Sequence, residues 1–382
     1  MRWIVTIALL LCLPCWAAIT EKYANFDLAT GSNDGTTEAD AWQSWADITF
    51  AAGERVNIKK SASREVTGII SNSVSGTNGL PVHLRGYGST IGDGTQWQYD
   101  GTLNWSGKLG VLQHLDGSSD AANDEILFVT GDHTLVIDSK FEQLNAAGYA
   151  AAYLADANIY HCVLISASNT ASAARAALSI TNASVVGCHI TSTGTVPGLY
   201  TATAYRQTII INNVIDAGGD EGIYIYQGNL ADGVAIEGNT IYDTDYGIYI
   251  DQLPPTTSTS PMSISNNLIY DCSAYGIHNN HTDAVISGLV GNAMGALTSG
   301  RLSGFDDLEE IGGIILTADP FVDAAGGDFT LNSTSGGGAL LRSLQTPTDI
   351  DQDGTQDNWK DVGALQAEPA GGGSTVIVIL EE

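Results

Sequence analysis

The chain has 382 residues, 43% hydrophobic and 8% aromatic, with 14 Lys+Arg against 43 Asp+Glu and a formal net charge of −29. Phosphate recognition needs clustered cations, so this balance argues against nucleic acid and anionic membrane surfaces as partners. It argues equally against direct binding of a polyanionic glycan unless metal ions bridge the two, and solvation in a salty or calcium-containing medium accounts for the charge as a whole.

Met1-Arg2 opens a short n-region, residues 4–13 are an apolar h-region, and Cys15-Trp-Ala17 is an acceptable small-residue cleavage site. Residues 1–17 therefore read as a signal peptide, and the protein is expected to be secreted or held at the cell surface. Lipidation at Cys12 or Cys15 is the competing reading, disfavoured because Leu11 and Pro14 stand where a small residue is needed. No later run is long enough to span a bilayer. Residues 37–50 contain Ala41-Trp42-Gln-Ser-Trp45-Ala-Asp-Ile48, which predicts a short amphipathic helix. Strands are expected around residues 56–58, 68–70 and 82–84.

The next feature is a line written three times. Ile210-Ile-Asn-Asn213-Val-Ile215, Ile236-Glu-Gly-Asn239-Thr-Ile241 and Ile264-Ser-Asn-Asn267-Leu-Ile269 are each followed by a glycine and a short apolar strand, at Gly222-Ile-Tyr-Ile225, Gly247-Ile-Tyr-Ile250 and Gly276-Ile-His278. A period of 20–50 residues signals a solenoid. Sliding the frame outward places Ser139, Cys162 and Cys188 in the asparagine column on one side and Gly288 on the other. Each unit holds short alternating runs rich in Ile, Val, Thr and Tyr without helical periodicity, so a parallel β-helix fits, with coils roughly 4.8 Å apart. Of the cysteines beyond the leader, Cys162 and Cys188 fall on adjacent coils. In-register strands hold their Cβ atoms parallel and slightly too far apart, so buried thiols are expected rather than a disulfide, with Cys272 unpaired.

This Asn-x-Ile…Gly-Ile-x-Ile repeat resembles the right-handed parallel β-helix of the pectate-lyase-like superfamily, in its secreted bacterial type. The ends agree: residues 75–87, ending in Arg85-Gly-Tyr87, resemble the opening coils of such proteins, and Asp319-Pro-Phe-Val322, Gly327-Asp-Phe-Thr-Leu331 and Asp361-Val-Gly-Ala-Leu365 resemble their closing segment. The resemblance spans roughly residues 20–367. It implies an all-β, single-stranded right-handed parallel β-helix with an N-terminal helical cap and an irregular C-terminal cap. It is weak for function, because the superfamily hosts lyases, hydrolases, epimerases, adhesins and tailspikes. The expected organisation is cap and first coils over 18–100, regular coils over 101–295, last coils and C-terminal cap over 296–367, and a Gly-rich linker and short β-prone tail over 368–382.

Inward asparagines at tight turns satisfy buried backbone groups, so Asn213, Asn239 and Asn267 are assigned to structure. The turn carboxylates are the candidates for chemistry. Asp243 aligns with Asp271 and Asp220 with Asp245, with Asp216 and Glu221 in the same region. They are either solvated or neutralised by a hard cation. Alternation also makes two outward rows, Tyr224, Tyr249 and His278 in one and Tyr226, Asp251 and Asn280 in the other. Rings beside carboxylates suit a sugar chain, although aromatic stacks also stabilise sheets in their own right. Asp220, Asp243, Asp245, Asp271 and His278 are the candidate catalytic residues, and Tyr224, Tyr226, Tyr249 and Asp251 the candidate substrate contacts. A lyase would draw its base from His278, His281, Tyr249 or Arg206, since no lysine lies between Lys140 and Lys360. A hydrolase would use paired carboxylates. The polygalacturonase signatures Gly-His-Gly and Arg-Ile-Lys are absent.

Asp349-Ile-Asp351-Gln-Asp353-Gly354-Thr355-Gln-Asp357 matches the first nine places of an EF-hand-like calcium loop, with Lys360 where the bidentate Glu belongs. Calcium is therefore expected on Asp349, Asp351, Asp353, Thr355 and Asp357, with an uncharged turn as the other reading. Beyond a Gly-rich linker, residues 375–380 form a β-prone run able to pair with a sheet edge of this chain or another, allowing self-association. The functional expectation is a secreted β-helix protein acting on extracellular polysaccharide, as a calcium-assisted lyase or a hydrolase. The alternatives are a non-catalytic glycan-binding adhesin and an assembly protein using its C-terminal strand.

Overall fold

The structure is a computed structural model describing residues 19–44, 47–59, 70–77, 80–90, 110–114, 127–143, 150–167, 176–201, 208–227, 233–252, 262–280, 286–305 and 310–343. Three parallel sheets of ten, nine and nine strands run the length of the stack, and consecutive strands of the chain pass from one sheet to the next. We call them sheets A, B and C. One coil comprises Thr208–Ile211 in sheet A, Val214–Asp216 in B and Glu221–Gln227 in C. The next is Val234–Glu237, Thr240–Thr244 and Tyr246–Gln252, and the one after is Met262–Ser265, Leu268–Cys272 and Tyr275–Asn279.

The alternation in the sequence dictates this. Ile210, Ile236, Ile264 and Leu289 stack inward from sheet A. Ile215, Ile241, Ile269 and Met294 do so from B, and Ile223, Ile248 and Ile277 from C. All are at most 2% exposed. β-Branched side chains fit such a pleated surface, and each is worth roughly 1.5–3 kcal/mol once buried. The glycine before each sheet C strand exists for close approach: a Cβ on Gly247 would lie 2.6 Å from the Gly276 carbonyl oxygen and 2.5 Å from Ile269 Cγ2. Gly198, Gly222 and Gly276 are hemmed in the same way by the following coil.

Asparagines close the corner between sheets A and B. Asn213 Nδ2 donates to Asn239 Oδ1, Asn239 Nδ2 to Asn267 Oδ1 and Asn267 Nδ2 to Asn292 Oδ1, each at 2.9 Å. The column therefore continues to Asn292, and the placement of Gly288 in it is corrected. Gly288 lies within Ile286–Val290 and pairs with Ser263 beyond a register shift after Met262. That irregularity hid the true frame, Leu289-Val-Gly-Asn292. Cys162 and Cys188 extend the column, and both are free thiols, as is Cys272. Burial pushes the Cys188 thiol up to about 12, so it behaves as a small apolar filler.

Trp45 and Ala46 of the expected N-terminal helix lie outside the described residues. Among the described residues of 41–48 there is no α-helix; Trp42 instead makes a parallel bridge to Ala24, and Lys22 Nζ sits 5.9 Å from its ring centroid. At the other end, a short antiparallel hairpin pairs Phe321–Asp323 with Asp328–Leu331 and leads to a helix at Gly338–Ser343. This segment lies on the outer face of sheet B, where Leu316, Phe321, Phe329, Leu331 and Leu341 pack against Val214, Leu268 and Ala293. It also seals His189, 6.2 Å from Phe329, and burial holds that imidazole down to about 3. Phe329→Ala should lower stability by about 3–5 kcal/mol, the usual cost of an emptied aromatic site. A midpoint shift in denaturant titration checks it. No helix among the described residues is long and apolar enough to cross a membrane.

Candidate functional site

With sheet B covered by the C-terminal segment, sheet C presents the aromatic outer surface. Its register is the one the repeat implies: Tyr224 pairs with Tyr249 and Tyr249 with His278, while Tyr226 pairs with Asp251. The row extends back to Tyr200, which pairs with Tyr224. Sequence reasoning missed Tyr200, yet Gly198-Leu-Tyr200-Thr201 repeats Gly222-Ile-Tyr224-Ile225 with one substitution of class. It also missed a second column, in which Glu221 pairs with Tyr246 and Tyr246 stacks on Tyr275 at 6.4 Å. The shared Tyr-Gly-Ile at 246–248 and 275–277 was its signature.

The rings lie face to face along the axis. Centroids are 5.5 Å apart for Tyr200–Tyr224, 5.2 Å for Tyr224–Tyr249 and 5.2 Å for Tyr249–His278, with interplanar angles of 21°, 13° and 21°. Ring faces are therefore largely spent on one another, and solvent meets edges and hydroxyls. The expectation of an exposed stack is corrected at Tyr224, which is only 8% exposed, as Tyr200 is at 7%. Tyr246, Tyr249, Tyr275 and His278 stay partly open. Tyr246 closes over this end, with its centroid 5.0 Å from Tyr249 and 5.2 Å from His278. Burial lowers His278 below the ordinary histidine range, and its Nδ1 is buried without a hydrogen-bond partner.

Polar groups flank the wall at both ends. At the far end of the strands, Tyr224 Oη donates to Asp251 Oδ2 at 2.7 Å, and Asn280 Nδ2 to Asp251 Oδ1 at 3.3 Å. Burial and this bond raise the Tyr224 phenol above its ordinary value. At the near end the Asp245 amide donates to the Asp220 carbonyl at 2.8 Å, so the two aspartates stack as expected. Ser273 Oγ donates to Asp245 Oδ1, and the Glu221 amide to Asp220 Oδ1 at 3.0 Å. Burial, reinforced by Asp220 and Asp245, raises Glu221 well above the usual carboxylate range. A carboxyl held protonated at neutral pH is equipped to give a proton.

The remaining carboxylates, Asp216, Asp243 and Asp271, stand at the ends of the sheet B strands. Asp243 and Asp271 adopt φ of 51° and 62° and are exposed. Asp tolerates this left-handed conformation better than most residues, which accounts for its recurrence there. Asp216 is more buried, and burial together with Asp243 raises it to about 6. Folding therefore favours its protonated form, and the associated stability, complete below the unfolded value of 3.8, is lost as pH rises through about 6. Asp216→Asn should be more stable than the parent by roughly 2–3 kcal/mol at pH 7 and equal to it near pH 4. Denaturant titrations at the two pH values measure this.

The six carboxyl groups thus form two columns within the corner between sheets B and C. Among the described residues no group of three or more His, Cys, Asp and Glu is placed to hold a metal ion. Arg206, His281 and the calcium-like loop Asp349, Asp351, Asp353, Thr355 and Asp357 lie outside the described residues, as do Lys360 and residues 375–380.

Comparison with known proteins agrees with the architecture. The family model described as a right handed beta helix region matches residues 124–289. Among solved structures, pectate lyase Pel9A superposes with a TM-score of 0.54 at 12% identity, covering 92% of this chain and 98% of that one. An alginate lyase from Paenibacillus sp. str. FPU-7 gives 0.39 at 13% identity, covering 77% of this chain and 98% of its own. The GH136 lacto-N-biosidase from Eubacterium ramulus gives 0.36 at 10%, covering 77% and 67%. No curated protein matches the chain. Sheet order, register, the matched family model and the likeness to pectate lyase Pel9A make the chain a right-handed parallel β-helix.

Proposed function

We propose that this protein acts on an extracellular polysaccharide along the outer face of sheet C, as a hydrolase that uses Glu221 as proton donor. The observation that carries this reading is a proton-holding carboxyl beside two further carboxyls, Asp220 and Asp245, at the entrance to a wall of partly open rings. Glycoside hydrolysis needs an acid and a second carboxylate roughly 5–10 Å apart. Asp251 is too distant for that partnership: it lies five residues along the strand from Tyr246, which pairs with Glu221, about 16 Å at the usual rise. Asp245, held by Ser273 on the adjacent coil, is the better second group. The fold shared with a pectate lyase is compatible with work on polysaccharide but does not choose the reaction. Release of reducing ends from a panel of neutral and acidic glycans tests the proposal. Absence of release across the panel would remove the catalytic part.

A second reading has its own observation. Tyr224 and Asp251 satisfy each other, and Tyr200 and Tyr224 are buried, so much of the wall is committed to its own packing. Such a surface retains glycan without turning it over, as an adhesin does. Retention of the protein on glycan-loaded gels without product release would favour it.

Export through a leader over residues 1–17 and calcium binding by Asp349, Asp351, Asp353, Thr355 and Asp357 are proposed on sequence spacing alone. Titration calorimetry should lose a calcium site in Asp351→Asn if the loop binds.

A further inference from the structure

Resting on the polysaccharide reading, we infer that the sheet C face takes an uncharged glycan and rejects a polyuronate, unlike the substrate that the name of pectate lyase Pel9A implies. Carboxyl groups bound the face at both ends, with Asp220, Glu221 and Asp245 at the entry to the strands and Asp251 at the exit, on adjacent coils. The ring between them that could carry positive charge, His278, is held below the ordinary histidine range by burial. The described cations are elsewhere or engaged. Lys22, Arg55, Lys59 and Arg85 belong to the first coils. Lys140 is paired with Glu142. Arg301 is turned to Glu310 and to the Asn292 carbonyl, and Arg342 belongs to the C-terminal helix that lies over sheet B.

A uronate chain carries one carboxylate on every sugar. Laid along the coil axis, its charges would recur beside Asp220, Asp245 and Asp251 with no cation among the described residues to meet them. Bridging by a metal is the way such chains are otherwise held against acidic protein, and no group of three or more ligating side chains among the described residues provides for it. What the face does offer is hydroxyl and carboxyl acceptors beside ring edges: Asp251, Asn280 and the open phenols of Tyr246, Tyr249 and Tyr275. These match sugar hydroxyls and methylene groups.

The test compares oligosaccharide pairs that differ at C6 alone: β-1,4-mannan with polymannuronate, cellulose with polyglucuronate, and methyl-esterified with free galacturonan hexamers. Dissociation constants are measured on the full-length protein, with chelator and with calcium. At least one uncharged member should bind about tenfold or more tightly than its acidic partner, a ratio that shrinks as salt screens the repulsion. Asp251→Asn and Asp245→Asn should narrow the same ratio by improving the acidic ligand. Equal or tighter binding of the acidic member, or its rescue by calcium, overturns the inference and leaves the polysaccharide reading in place. Failure of every member of every pair to bind overturns both.

Discussion

Asn239→Ala should lower the stability of the coil stack by about 3–5 kcal/mol, because several buried polar groups lose partners at once at roughly 1–3 kcal/mol each. The side chain is fully buried. Its Oδ1 accepts from the amide and the Nδ2 of Asn213 at 3.0 and 2.9 Å, and its Nδ2 donates to the Ile210 carbonyl and Asn267 Oδ1, both at 2.9 Å. Alanine leaves the Asn213 amide and the Ile210 carbonyl facing apolar surroundings. Asp in this place keeps the acceptor and loses the donor while adding a buried charge, so Asn239→Asp should be at least as damaging above pH 5. Urea titration followed by circular dichroism measures both, with Asn280→Ala on the exposed face as a control expected within about 0.5 kcal/mol of the parent. A loss below 1 kcal/mol for Asn239→Ala would mean that water or neighbouring groups replace the amide.

Glu221→Gln should reduce glycan cleavage by about 10²–10⁴-fold, the range expected when a positioned proton donor is removed. Affinity for the glycan should change only a few-fold, since Gln keeps the size and hydrogen-bonding reach of the side chain. The pH profile separates this role from a structural one. The parent needs Glu221 protonated, so its rate should fall as pH rises through the elevated value of that group. The residual activity of Glu221→Gln should lack that alkaline limb, and Glu221→Asp should restore part of the rate. Full activity in Glu221→Gln would assign the proton to another group.

The solenoid was legible because its inward residues are repeated and apolar: Ile210, Ile236 and Ile264 recur with the asparagines and leave no other way to bury three identical lines. Register followed from the same repeat, so Tyr224, Tyr249 and His278 were correctly aligned. The frame slipped at Gly288, where a bulge shifts pairing and the motif changes from Ile-x-x-Asn to Leu289-Val-Gly-Asn292. Orientation was harder to read. A sequence assigns Tyr224 to the outer face but says nothing of whether its ring shows a face or an edge, and stacking at 5.2 Å decides that. The turn aspartates are ambiguous for a related reason. Asp243 and Asp271 recur because the backbone there is left-handed, a conformational demand that looks from sequence like a chemical one.

The asparagine column has a direction. Each asparagine gives its backbone N–H and one Nδ2 hydrogen to the amide oxygen of the later coil, and its other Nδ2 hydrogen to a carbonyl of the earlier one, so every member needs an acceptor above it. At Asn292 that acceptor is no longer an amide: its backbone N–H donates to Glu310 Oε1 at 3.0 Å, and Glu310 is held by Arg301. A carboxylate has no hydrogen to hand on, so the relay stops there. The asparagine relay therefore has its own terminator, at the point where Asn gives way to Glu. Adding a copy of the 239–266 unit above Asn292 would require moving that ion pair with it, whereas inserting the unit between Asn239 and Asn267 would leave the terminator untouched.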